Sequence, residues 1–262
     1  MRATQAGRDY RFESGIHTGA GGELLPPIPE RLTRIDTAAT DEHIYLEADD
    51  VCYCVWEYTA GVSYEFCPAN RLISNLKIKP TEIIASPPRA RYKRKAMSHC
   101  ATALRCLILP AWVGIHGTFV PMPGSKIADH RDHDDRIECV LQAAFAGLNP
   151  DIRPMLAQTV STLADHETDD RLSYAELMRL IRVSPAQAAG PPRANIAVVD
   201  DVLSSGKHFK VAQAHLSRSF PGVPVTGIFL ARCVRAGRPA AEPTRPEGLS
   251  LPVPARRMTR RK

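Results

Sequence analysis

Two adjacent carboxylates and a short Ser/Gly loop are the residues of this sequence with the clearest chemical capability. Asp200 and Asp201 follow an apolar run at 196–199, and the loop 204–206 lies just beyond them. The pattern predicts a buried strand, a ligand-binding loop and the start of a helix, because ligands in open α/β sheets bind at the carboxyl ends of the strands. Backbone amides in such a loop bind phosphate, which leaves the carboxylates to bind sugar hydroxyls.

Two other interpretations compete for this stretch. Gly206 and Lys207 look like the Gly-Lys pair of a Walker-type phosphate loop, but Asp201 stands where that motif requires its first glycine, and His208 stands where it requires Ser or Thr. A buried strand that ends in a solvated acidic turn remains the alternative without a ligand.

The stretch 195–209, N-I-A-V-V-D-D-V-L-S-S-G-K-H-F, resembles the motif that binds phosphoribosyl pyrophosphate (PRPP) in type I phosphoribosyltransferases. The resemblance implies an α/β fold with a mainly parallel central sheet flanked by helices. It also implies that Asp200 and Asp201 bind the ribose hydroxyls. The loop for the 5′-phosphate would comprise Val202, Leu203, Ser204, Ser205, Gly206, Lys207 and His208. His208 replaces part of the usual small-residue and hydroxyl sequence, so its imidazole or the Lys207 ammonium would substitute for a missing hydroxyl.

A second stretch, 118–126 or T-F-V-P-M-P-G-S-K, is a short apolar run that meets Pro121 and Pro123. Proline stops sheet pairing, so the chain is expected to leave the sheet there. The charged residues that follow fit a metal site, a solvated loop or the pyrophosphate side of a phosphoribosyltransferase. V-P-x-P-x-S-K resembles the pyrophosphate loop of the ComF-like branch, and that third interpretation is preferred.

The resemblance assigns roles to residues on this pyrophosphate side. Ser125 and Lys126 would donate to the leaving pyrophosphate, with Lys126 as the main catalytic cation. Asp134, Asp135 and Arg136 would belong to a mobile loop that folds over PRPP, and Arg136 would close on it as a fork-shaped clamp. Mg²⁺ would be bound mainly by PRPP oxygens, with few protein ligands.

Composition limits the class of protein. The 262 residues are 44% hydrophobic and 24% charged, which is typical of one globular domain with tails. No apolar run suits a membrane span or a secretion signal, so a cytoplasmic protein is expected. Seven scattered cysteines favour reduced thiols. Zinc bound by Cys52, Cys54 and Cys67 with His43 is the weaker alternative, because the spacing is not that of a zinc knuckle.

The chain divides into an irregular arm (1–40), a phosphoribosyltransferase-like domain (41–235) and a disordered basic tail (236–262). Within 43–66 the pattern predicts a β-hairpin that turns at 59–61 and returns along 62–66. Further strands are expected at 196–199 and 225–231. Helices are expected at 70–80, 96–108, 139–145, 152–163, 172–181 and 208–220.

The net charge of +6, the basic run 89–95 with Tyr92, and the basic tail suggest a nucleic-acid partner, although a solvated helix face is the simpler account of 89–95. The resemblance implies a glycosyltransferase-class enzyme: Mg²⁺-dependent transfer of phosphoribosyl from PRPP to an unidentified acceptor, with release of pyrophosphate. His166 and Arg171 are candidate acceptor contacts. The alternative is an effector or sensor without classical turnover in a nucleoprotein complex, as in retron anti-phage systems. Oligomeric state stays open.

Overall fold

The computed structural model of the protein describes residues 25–36, 42–162 and 172–235. Its strands in these ranges are β1 (Thr33–Arg34), β2 (Cys52–Thr59), β3 (Gly117–Pro121), β4 (Asp151–Ile152), β5 (Leu156–Gln158), β6 (Ile181–Val183), β7 (Asn195–Leu203) and β8 (Val225–Val234). The α-helices are α1 (Pro68–Leu76), α2 (Pro80–Ala85), α3 (Arg89–Leu107), α4 (Arg136–Phe145), α5 (Tyr174–Leu180) and α6 (Lys207–Ser219), and a π-helical turn spans Trp112–His116.

The central sheet has the strand order β1-β2-β8-β7-β3-β4. All neighbouring pairs from β2 to β4 are parallel, and β1 joins antiparallel to β2. Strands β5 and β6 form a separate antiparallel pair. The mixed α/β fold with a mainly parallel central sheet is therefore confirmed.

Helices cover both faces of the sheet because its strands are apolar on both sides. Along β7, Ala197 and Val199 pack into the core that includes α1, α3 and α4. Ile196 and Val198 pack into the core that includes α5 and α6, since successive strand residues point to opposite faces. The carboxyl end of β7 is thus held between two buried layers.

The unit β7-α6-β8 was predicted correctly. Its two strands are parallel neighbours, and α6 buries Phe209, Ala212 and Leu216 at the predicted spacing. Helices α1, α3, α4 and α5 lie where helices are expected at 70–80, 96–108, 139–145 and 172–181, although α1 already ends at Leu76 and α5 spans only Tyr174–Leu180. Helix α3 begins earlier than expected, because the basic run 89–95 forms its first turns.

Two local predictions were wrong. Residues 62–66 form turns and bends, and the antiparallel neighbour of β2 is β1. The other edge of β2 is taken by β8, through pairs up to Thr59↔Val234. The helix expected at 152–163 is replaced, within its described part, by β4 and β5. Pro154 opposes a helix there, and Ile152 pairs with Phe119 of β3.

Part of the predicted irregular arm belongs to the folded domain. Leu32 and Ile35 are buried, and Thr33–Arg34 forms β1. The Trp56 indole donates to the carbonyl of Pro27 at 2.8 Å. Residues 1–24 and 37–41, the candidate contacts His166 and Arg171, and the tail 236–262 lie outside the described residues.

Within the described ranges, no helix combines the length and the apolar character that crossing a membrane requires.

Candidate functional site

The acid pair lies inside β7, which extends further than the sequence predicts. β7 pairs with β8 as far as Leu203↔Arg232. On its other side, pairing with β3 ends at Pro121↔Val199, and the Met122 amide then donates to the Val199 carbonyl at 2.8 Å. The two acids therefore follow the last residue that β3 pairs, at the carboxyl edge where open α/β sheets bind ligands.

The two acids have different surroundings. Asp200 is half-buried, and its Oδ1 accepts from the amide of Asp201 at 2.7 Å. Asp201 is 5% exposed and is bonded by Lys77 at 3.1 Å and by the Nε and Nη2 of Arg136. The structure therefore presents one half-buried carboxylate that bonds a backbone amide and one buried carboxylate that is neutralised by two cations.

The pKa values of the pair move in opposite directions. Burial, together with the negative charge of Asp201, raises the pKa of Asp200. Burial also opposes ionisation of Asp201, but the Lys77 ammonium and the Arg136 guanidinium outweigh it and hold the pKa of that carboxyl well below its usual range. Asp201 is thus the fixed anion of the pair, and Asp200 is the member whose charge can respond to a ligand.

The cations around Asp201 belong to a larger charge network. Arg136 also bonds Asp134 at 2.9 Å, and Asp134 accepts from Lys93 at 2.7 Å. Lys93 donates in addition to the Ile78 carbonyl at 2.7 Å. This network ties α3 and α4 to the carboxyl end of β7.

The prediction of a loop at 134–136 is wrong for Arg136. This residue is the first of α4, and its guanidinium bonds Asp201 and Asp134. A buried carboxylate needs a cation or several donors, and Arg136 meets that need for Asp201. Asp135 is exposed and stands at the N-cap of α4.

The Ser/Gly loop meets the start of α6 as predicted. Gly206 has φ of +86° and is the N-cap, so α6 begins at Lys207. A side chain at 206 would be strained at this φ, and its Cβ would lie 2.9 Å from Cδ2 of Leu46. The first amides of a helix have no acceptor within it, so the loop offers donors at a partial positive charge.

The side chains of the loop divide into polar and packing groups. Among the described residues, the hydroxyls of Ser204 and Ser205 have no hydrogen-bond partner, so they are available to a ligand. Val202 and Leu203 pack into the two cores instead. The ammonium of Lys207 is buried and donates to the Leu172 carbonyl.

The segment that contains His43 and Tyr45 bonds the loop, and the sequence did not predict this contact. The Nδ1 of His43 bonds the carbonyl of Ser204, and the Tyr45 amide donates to the carbonyl of Ser205 at 3.0 Å. Burial lowers the pKa of His43, so its ring is neutral near pH 7. The sequence holds no signal for these contacts, because about 160 residues separate the partners.

On the expected pyrophosphate side, Lys126 donates to the Thr162 carbonyl at 2.5 Å. The Thr162 amide in turn donates to the carbonyl of Ser125 at 2.8 Å. The chain leaves the sheet after Pro121, as predicted. Arg136 and Lys77 are therefore the cations that contact the acid pair. Lys126 bonds a backbone carbonyl instead.

The zinc hypothesis is contradicted. Cys52 and Cys54 lie in the core beneath α6, whereas Cys67 packs on the opposite face, where its sulfur caps α1 by accepting from the Asn70 amide. Burial raises the pKa of Cys52 and of Cys54 to about 12, so both are protonated thiols. None of the seven cysteines, all of which lie in the described ranges, is part of a disulfide, which agrees with the predicted reduced thiols.

Two further features lie near the loop. Glu47, Asp49 and Asp50 form an acidic cluster, but Lys210 bonds Glu47 at 2.7 Å and Asp50 at 3.0 Å. The other feature is an open, largely apolar pocket of about 360 Å³ that shares two serines with the loop. It is lined by Glu42, Ile44, Ala60, Ser204, Ser205, Cys233, Val234 and Arg235.

Fold and site together define the class: an α/β protein with a mainly parallel sheet, an acid pair at the carboxyl end of β7 and a Ser/Gly loop before a helix. No protein-family model matches the chain, and no curated protein matches it.

Proposed function

We propose that this protein binds PRPP at the carboxyl end of β7 and transfers its phosphoribosyl group to an acceptor. The observation that supports this most is the combination of the half-buried carboxylate of Asp200 with the unpaired hydroxyls and helix-start amides of the loop 204–206. A phosphate and a ribose joined by one methylene group need these two kinds of partner side by side. The resemblance of 195–209 to the PRPP-binding motif points to the same ligand.

In this proposal the loop binds the 5′-phosphate. The hydroxyls of Ser204 and Ser205 donate to its oxygens, and the amides at the start of α6 add charge-assisted hydrogen bonds. Asp200 accepts from a ribose hydroxyl. Asp201 remains bonded to Lys77 and Arg136, so it orients these two cations towards the ligand crevice beside β7.

The carboxylate of Asp200 is the feature of this site that suits a magnesium ion. Asp200 has a half-buried carboxylate that can accept from the water shell of a hydrated cation. The ion would arrive with PRPP and supply positive charge to its pyrophosphate. Lys77 and Arg136 add positive charge from the protein to the same end of the sheet.

The transfer itself breaks the bond between C1′ and the pyrophosphate oxygen, which keeps the electron pair. A lone pair on the acceptor, usually a nitrogen, forms the new bond to C1′, and the acceptor then loses a proton. Positive charge develops on the ribose and negative charge on the leaving group. The protein contributes by orienting the reactants and by stabilising these charges.

Turnover is tested by measuring pyrophosphate release from Mg-PRPP in the presence of pooled purine and pyrimidine bases. The proposal predicts release by the wild-type protein and at least a hundredfold less by Asp200→Asn, a loss of the size expected for a misplaced reactant. Asp49→Asn, which removes an exposed acid outside the site, should leave release unchanged. If the protein binds PRPP but releases no pyrophosphate, transfer to these acceptors is refuted and a PRPP sensor becomes the better account.

A second function, binding of nucleic acid, is favoured by the surface of α3. Arg91, Tyr92, Arg94 and Lys95 are exposed on this helix, and the Arg91 guanidinium lies 5.7 Å from the centroid of the Tyr92 ring. Lys93 is buried with Asp134 and does not contribute to that surface. An exposed aromatic among cations suits a phosphate backbone with stacked bases, as expected of a component of a nucleoprotein complex.

This second function is tested by a gel-shift titration with single-stranded RNA and DNA at several salt concentrations. The double variant Arg91→Glu with Arg94→Glu should abolish salt-sensitive binding. The control, Arg179→Glu with Arg218→Glu, changes the net charge equally on α5 and α6 and should bind normally. Equal loss in both variants would mean that net charge, rather than the α3 surface, attracts nucleic acid.

A further inference from the structure

We propose that residues 43–46, here called the strap, hold the phosphate loop in the conformation that binds an anion, with His43 as the positioning residue. This inference rests on the proposed function, because it assigns a role to residues that act through the same loop. The strap lies outside the motif and bonds the loop from the side opposite to the ligand.

The strap contacts three consecutive loop residues. The Nδ1 of His43 bonds the Ser204 carbonyl, and the Tyr45 amide bonds the Ser205 carbonyl at 3.0 Å. The side chain of Leu46 lies against Gly206 so closely that a Cβ there would be 2.9 Å from its Cδ2. Each residue of the loop is therefore fixed by a different strap residue.

These contacts determine where the loop amides point. In a trans peptide, the carbonyl of one residue and the N–H of the next point in opposite directions. Because the strap binds the carbonyls of Ser204 and Ser205, the N–H groups of Ser205 and Gly206 point away from the strap. Together with the first amides of α6, which begins at Lys207, they would give a bound phosphate several donors on the side away from the strap.

The strap can serve this purpose because it is itself anchored. The ring of Tyr45 stacks on Tyr174 of α5, with centroids 6.3 Å apart and planes 14° from parallel. Leu46 is buried in the core with Phe209 of α6. Asp50, a few residues beyond the strap, accepts from Lys210 at 3.0 Å. The strap is thus fixed to the same helix whose N-terminus forms the loop.

His43 is the strap residue whose chemistry matters most. Its side chain is 1% exposed, and among the described residues its Nε2 has no partner. Burying an unpaired nitrogen costs stability, and a leucine would fill similar space without that cost. The bond from Nδ1 to Ser204 is therefore what the imidazole contributes, and it requires the proton on Nδ1. The charged groups that act on the ring are Arg232 and Glu42.

The test compares three variants. His43→Asn keeps a donor near the position of Nδ1, whereas His43→Leu removes it. His99→Leu is the matched control, because His99 also bonds a backbone carbonyl, that of Pro26 at 2.8 Å, but stacks on Trp56 on the other face of the sheet. Near-UV circular dichroism establishes that each variant is folded before binding is measured.

Binding of ribose 5-phosphate is measured by isothermal titration. We expect His43→Leu to weaken it by roughly tenfold or more, and His43→Asn by roughly threefold at most, because a misplaced loop loses several phosphate bonds together. His99→Leu should bind like the wild-type protein. If His43→Leu also binds like wild type, the strap proposal is overturned and the proposed function stands.

Hydrogen exchange of the Tyr45 amide separates the two proposals further, because it needs no ligand. Its protection should be lost in His43→Leu and kept in His43→Asn and His99→Leu, since Tyr45 bonds the adjacent loop carbonyl. Unchanged protection in His43→Leu would overturn the strap. Failure of the wild-type protein to bind ribose 5-phosphate, with the expected exchange pattern, would contradict the phosphate-binding function while the structural link between strap and loop remained.

Discussion

Arg136, the first residue of α4, donates both its Nε and its Nη2 to Oδ2 of Asp201 on β7. The same guanidinium bonds Asp134 at 2.9 Å, so one side chain joins two acids at the edge of the candidate site. The pair has a structural role in the protein without a ligand, because it neutralises a carboxylate that is 5% exposed. Pyrophosphate bound beside β7 would compete with Asp201 for this cation.

Loss of that pair should destabilise the fold. Arg136→Met leaves Asp201 buried with Lys77 as its remaining cation, and removing one partner of a buried ion pair typically costs about 3–5 kcal/mol. Urea unfolding measures the change. The control is Arg105→Met, which loses bonds to the neutral carbonyls of Ala144 and Ala146 at an exposed position, at a cost of about 1 kcal/mol. Equal losses would show that Asp201 does not depend on Arg136.

The close approach of Leu46 to Gly206 gives a second prediction. Gly206→Ala should lower the free energy of unfolding by roughly 1–2 kcal/mol, because alanine is strained at this positive φ. The loss should be larger still because the new Cβ displaces Leu46. Gly222→Ala is the matched control, with φ of +79° and nothing within 4 Å of the added Cβ. The change at 206 should lower both the unfolding temperature and the affinity for ribose 5-phosphate more than the change at 222 does. Equal unfolding temperatures would mean that the loop does not pack on the strap.

Protonation of buried histidines should make stability depend on pH. Burial lowers the pKa of His43, His99 and His215, so each binds its proton more tightly in the unfolded chain. Their stabilising contribution is therefore fully present above about pH 6.5, the ordinary histidine value, and is lost as the pH falls below it. Urea unfolding from pH 7.5 to 5 measures this slope. His43→Asn should reduce the slope, and a slope that stays unchanged in that variant would exclude His43 as a contributor.

The cysteines should differ strongly in reactivity. Cys106 is exposed, whereas burial raises the pKa of Cys52 and Cys54 to about 12 and also raises that of Cys100. Short alkylation of the native protein, followed by peptide mass spectrometry, should therefore label Cys106 before these three. A metal chelator should not change the pattern. Faster labelling of Cys52 and Cys54 after chelation would restore the zinc hypothesis.

The parts of the site that the sequence predicts are those whose residues are neighbours in the chain. Asp200, Asp201 and the loop 204–206 follow one another, so the run of strand, acid pair, loop and helix could be recognised locally. The observed contacts of Lys77, Arg136 and His43 could not be predicted in this way. Their partners are set by how α1, α4 and the strap pack on the carboxyl edge of the sheet, and a local pattern does not encode that packing.

The errors in the fold have a similar origin. The β-branched and aromatic residues of β2 correctly predicted a strand, but its neighbours β1 and β8 were decided by distant segments. At 152–163, a short apolar run fits a helix or a strand equally well, and pairing with β3 decides for the strand. Chain-distant pairing thus overrode local patterns in both places.

The central claim is that the carboxyl end of β7 is a phosphoribosyl pocket, and calorimetric titration with Mg-PRPP tests it most directly. The wild-type protein should bind one PRPP per chain. The double variant Asp200→Asn with Ser205→Ala should weaken binding by roughly a hundredfold, because several ligand contacts are lost. The control Asp49→Asn should bind normally. No heat of binding with the wild-type protein, or equal affinity in the double variant, would contradict the claim.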